Sequence, residues 1–116
     1  MTDRELLELA AKAAGMTRVK GTQNCWLDHE NRRSLSKWNP LNDDGDALRL
    51  SVKIGLIVDT RLVPTPRFDT DEVCTLVVLP RPSERSTGEW HADSDPYTAT
   101  RRAIVRAAAE IGKAME

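Results

Sequence analysis

Three carboxylates and a glycine stand between a tryptophan and an apolar run in WNPLNDDGDALRL, residues 38–50. Asp43, Asp44 and Asp46 offer the hard oxygen ligands that Mg²⁺ or Ca²⁺ takes, and a cation held there would be the basis of metal-assisted chemistry. The spacing departs from a calcium loop, and no later Glu stands in the required register. Acidic side chains in a first helical turn have a simpler use. They stabilise exposed amides and oppose the helix dipole, by roughly 0.3–1 kcal/mol each. We therefore read these acids as the start of a helix, with no metal and no cofactor expected.

Cys25 and His29 are four residues apart, and His91 can join them only through the fold. One Cys and two His without a paired CxxC make a weak zinc pattern, and a Cys25 nucleophile would lack a recognisable orienting acid or oxyanion loop. The chain reads as a non-enzyme. Cys25 and Cys74 are isolated thiols, expected reduced, with Cys74 in the core run VCTLVVL.

Arg101, Arg102 and Arg106, helped by Arg32 and Arg33, form a candidate basic patch for phosphate or an acidic partner. Arg102 and Arg106 fall on a solvent-facing helix side, one turn apart. Arg101 differs, because it lies about 40° from the apolar stripe, where a charge pairs with a carboxylate or lines a cleft. In Trp38-Asn39-Pro40 the Asn is pushed into extended backbone and can fix a turn with its side chain. The same loop leads into a helix N-terminus whose amides suit an anion, although the adjacent acids would repel one. Trp90 and His91 take opposite faces of one strand, with Trp90 inward and His91 toward solvent or a pocket edge. The candidate binding surface is thus Trp38, Asn39, His91, Tyr97 and Arg101.

These residues need elements to hold them. Thr2-Asp3-Arg4-Glu5 has capping-box form and predicts a helix from about Asp3 to Ala14, with Leu6, Leu9, Ala10, Ala13 and Ala14 inward and Gly15 as its stop. Residues 16–38 predict short extended pieces carrying Cys25, Trp26, Leu27 and then Trp38, around a turn at Asp28-His29-Glu30-Asn31. A second helix, capped by Asn42 or Asp43, reaches about Ile54 before Gly55. Its polar stripe of Asp46, Arg49 and Lys53 is narrow, which predicts more burial than for the first helix.

Leu56-Ile57-Val58 predicts a strand, and the proline-marked stretch RLVPTPRFDTDE cannot be a central one. Val73 to Leu79 is apolar on both faces, as in a strand covered on both sides, and a hairpin through RPSERSTG leads to Glu89-Trp90-His91-Ala92. Asp95-Pro96 opens a last helix with a stripe of Tyr97, Ile104, Ala108, Ile111 and Met115, beside alanines that suit close packing on a sheet.

Composition bounds the whole. With 116 residues, 40% hydrophobic and 30% charged, the chain is globular and of single-domain size. A net charge of −1 and 4% aromatics give neither phosphate neutralisation nor stacking platforms, so nucleic acid is not indicated. No apolar stretch approaches the roughly 20 residues of a spanning helix, and the N-terminus lacks a signal-peptide pattern, so a cytoplasmic protein without a membrane partner is expected.

The order of TDRELLELAAKAAG, then WNPLNDDGDALRLSVKIGLIV, then DPYTATRRAIVRAAAEIG resembles the phage ABA-sandwich domain family over most of the chain. Asn39-Pro40 keeps the family's motif, whereas Leu41-Asn42 stands where Ser or Thr is common. The resemblance implies an α/β (α+β) sandwich, a small mainly antiparallel sheet packed by about three helices, in a phage or prophage protein without an assigned reaction. A non-enzymatic accessory protein follows, binding a host or phage protein or a small ligand in the host cytoplasm. Nucleotide sequestration by the arginines, or a metal or thiol enzyme, are the alternatives. A homodimer through an exposed Trp or the alanine-rich helix stays open.

Overall fold

A computed structural model describes residues 2–21, 25–29, 32–65, 68–78, 86–91 and 96–115, with the side chains of residues 33 and 59–96 outside the description. Among the described residues, three helices and six antiparallel strands make a mixed α/β fold, as expected. The strands form two three-stranded meanders rather than one small sheet.

Helix α1 (Asp3–Ala13) starts where the capping pattern places it, with Thr2 Oγ1 accepting from the Glu5 amide at 3.2 Å. Arg4, Glu5, Glu8 and Lys12 face solvent, while Leu6, Ala10, Ala11 and Ala14 are buried. Gly15, at φ 73°, turns the chain into β1 (Met16–Arg18). A left-handed residue is least costly as glycine.

β1 pairs with β2 (Cys25–Asp28), which pairs with β3 (Arg33–Ser36). Alternation puts Trp26 and Asp28 on the core face and leaves Leu27 outside. Asp28 therefore ends a strand instead of opening the turn that the sequence suggests. Lys37, at φ 59°, bends the chain out of β3, so Trp38 follows the strand and is not part of it.

Helix α2 (Asp44–Ile54) is capped by Asp43 and ends at Gly55, at φ 72°. The expected deep burial fails. Ala47, Leu50 and Ser51 face the core, but Leu48 and Val52 are 64% and 72% exposed. The helix packs on α3 along one side, and on another it borders the first meander across an open space.

β4 (Ile57–Thr65) runs on through Pro64, longer than predicted, and pairs with β5 (Phe68–Val78), which pairs with β6 (Ser86–His91). The proline-marked stretch is strand after all, but no described part of it is paired on both sides. Residues 61–65 lie in edge strand β4, and β6 pairs with β5 only from Val73 onward. Pro64 sits at an irregularity in the register, where a missing N–H is tolerated. Whether Val73–Leu79 is covered on both faces, and the Asp95 cap, lie outside the described residues.

Helix α3 (Pro96–Ala114) packs against α1, α2, β5 and β6. Residues 103–105 and 107–109 are buried, so the middle of this helix is enclosed on nearly every side. The ends of the predicted stripe are not, since Tyr97 and Met115 are exposed. At Gly112 the helix also comes very close to α1: a Cβ built there would clash with the Leu9 carbonyl oxygen. Small residues on both helices permit that contact.

Candidate functional site

The loop from Trp38 to Asp43 shows what Asn-Pro does here. Ahead of Pro40, Asn39 Oδ1 accepts from the Leu41 amide at 3.0 Å. The Asn39 carbonyl accepts from Asn42 and Asp43, at 3.1 and 2.9 Å, and its amide donates to Asp46 Oδ2 at 3.0 Å. Asn39 is the knot of the turn. Trp38, 6% exposed, points inward and meets Trp26 edge-on at 5.6 Å between ring centroids. It is a core residue whose ring also borders the concavity described below.

The three acids have separate partners. Asp43 Oδ2 accepts from the Asp46 amide at 3.3 Å as the helix cap, Asp44 pairs with Arg101 at 2.5 Å, and Asp46 reaches Arg49 at 3.4 Å. Burial raises the Asp46 carboxyl above its usual range. The Asn39 amide opposes that rise, Asp43 adds to it, and Arg49 opposes it. Among the described residues no group of three His, Cys, Asp or Glu is placed to hold a metal. The helix-start reading of these acids holds.

Arg101 behaves as its angular position implied. Its Nε donates to the Leu41 carbonyl at 2.9 Å and its guanidinium also reaches Thr98 at 3.0 Å, so it ties the start of α3 to the Asn39 turn and the N-terminus of α2. Arg102, assigned to solvent, donates twice to Asp3 Oδ1 at 3.0 Å. A phosphate bound here would have to displace a carboxylate from each. Tyr97 is 67% exposed near Arg101 in sequence. His91 lies in β6 opposite Val73, its side chain outside the description. Cys25 is half-buried, and His29 Nε2 lies 2.7 Å from Thr17 Oγ1.

A concavity among the described residues lies elsewhere, between α2 and the first meander. A space of about 560 Å³ is lined by Met16, Leu35 and Trp38 from the meander side and by Leu48, Leu50 and Val52 from α2. Asp28, 3% exposed, and Lys53 form a 2.8 Å ion pair beside it, with Asp46 and Arg49 at its polar end. Sequence reasoning expected more burial for this helix, because helical spacing shows that residues share a face but not whether the face is covered. Asp28 and Lys53, 25 residues apart, gave no local sign of pairing.

No helix among the described residues is long and apolar enough to cross a membrane. In comparisons with known proteins, no family model, no curated protein and no solved structure matches this chain.

Proposed function

We propose that this protein is a non-enzymatic binding module, an accessory protein of the kind phages and prophages encode, working in the host cytoplasm. Its ligand surface is the groove between α2 and the β1–β2–β3 meander, and it takes an apolar protein segment or a small apolar ligand. One observation carries this reading. Leu48 and Val52 stand one turn apart, largely exposed, on the wall of an apolar concavity. Large apolar side chains gathered at a concave surface are what binding sites use. The phage setting rests on the Trp38-Asn39-Pro40 motif and the order of elements. The non-enzymatic reading is supported by the acids of α2, which cap and pair within the fold.

The test is titration with an environment-sensitive apolar dye, followed by emission of the dye and of the three tryptophans together. Wild type is expected to bind one equivalent saturably. Leu48→Glu with Val52→Glu should weaken binding by roughly tenfold or more, since two apolar contacts are each worth about 1 kcal/mol or more. Far-UV circular dichroism should not change. Equal binding by wild type and variant sinks the groove as the site.

A further inference from the structure

Strand β4 is an edge of its sheet, and no described strand pairs with its outer side. Free edges of this length invite pairing with another strand. The residues along it have an unusual order: Ile57, Val58, Asp59, Thr60, Arg61, Leu62, Val63. Read from either end, the run goes apolar, apolar, charge, Thr, opposite charge, apolar, apolar.

We infer that β4 is a self-pairing edge. Two copies of this chain join antiparallel about a two-fold axis at Thr60, giving one continuous six-stranded sheet. A two-fold axis normal to a sheet must pass through a residue position, because facing residues share a side of the sheet while chain neighbours alternate. Centred on Thr60, the register sets Ile57 opposite Val63, Val58 opposite Leu62, and Asp59 opposite Arg61 on both sides of the axis. Unlike charges directly opposite favour the pairing, and like charges oppose it.

The neighbouring registers fail on charge. Centred on Asp59 they set that carboxylate position against itself, and centred on Arg61 they do the same to the guanidinium. In-register parallel pairing sets both against themselves. The ladder also ends where the strand can support it, since Pro64 has no N–H to donate and the register with β5 shifts between Pro64 and Thr65. At the other end Ile57 and Val58 are 60% and 36% exposed, apolar surface that lies within the paired span. This interface is separate from the α2 groove and does not depend on it.

Sedimentation velocity on the full chain tests the proposal. Wild type is expected to dimerise at micromolar concentration, to twice the 13.0 kDa chain mass. Asp59→Arg and Arg61→Asp should each raise the dimer dissociation constant roughly tenfold or more, because two attractive pairs become repulsive. An equimolar mixture of the two variants restores unlike charges across the axis and should recover dimer, as should the double exchange in one chain. Circular dichroism on each variant checks that the fold is kept, and Leu48→Glu should dimerise like wild type. A wild type that stays monomeric at about 100 μM overturns the inference. So does a dimer indifferent to both reversals, or a mixture that stays monomeric.

Discussion

Asn39 commits its amide, its carbonyl and its side-chain oxygen to the loop that contains it. Asn39→Ala would leave the amide of buried Leu41 without its acceptor, a loss of about 1–3 kcal/mol. Urea denaturation should show that loss, with Asn39→Asp recovering much of it because a carboxylate oxygen can accept the same bond. This role was legible from Asn before Pro. The inward turn of Trp38 was not, since it depends on Lys37 taking a positive φ that nothing in its side chain announces.

Asp46 carries a pH signature. Its folded pKa is raised, chiefly by burial, above the ordinary 3.8. A raised acid binds its proton more tightly when folded, so its contribution is fully present below the ordinary value and is lost as pH rises through the raised one. Asp46→Asn keeps an oxygen for the Asn39 amide and removes the titration. Melting temperatures from pH 3.5 to 7 should therefore show wild type falling relative to the variant as pH rises from about 4. A constant difference across that range would count against the raised value.

At the scale of elements, the helix boundaries were the most legible feature, because caps are local chemistry. Thr2, Asp43, Gly15 and Gly55 all do what their types suggest. Burial was less legible, because it depends on a partner. The broad apolar surface of α2 looked like core, yet half of it faces outward. Inside a helix such as α3, glycine costs about 1 kcal/mol relative to alanine, yet Gly112 stands there. Its site requires the absence of a side chain. Gly112→Ala should destabilise the protein by about 2–3 kcal/mol or more despite the better helix propensity, because the obstacle is the backbone of Leu9 and cannot rotate away. Thermal melting would show it, and a variant as stable as wild type would mean that α1 and α3 sit farther apart.

For the whole molecule, the α/β class followed from the sequence order of helical and alternating runs. The division of strands into two meanders did not. Residues 16–36 carry few apolar residues, and pairing of Trp26 with Leu35 and of Met16 with Asp28 is a property of register, which short polar strands specify weakly. The groove was equally hidden, since Trp38, Leu48 and Val52 meet only after the meander and α2 are folded against each other. What the sequence does display is the reflection symmetry of residues 57–63, visible without coordinates but meaningful only once β4 is known to be an edge.

The packing of α1 on α3 has a consequence for the order in which the protein is made. Arg102 reaches back 99 residues to Asp3, and Gly112 receives the backbone of Leu9. A ribosome-bound chain that has exposed α1, the first meander and α2 still lacks the helix against which α1 and α2 settle. Such a chain has buried alanines with nothing to bury them. Completion of the core must wait for the residues around 103–112, so α1 is expected to gain lasting protection from hydrogen exchange only once α3 has formed.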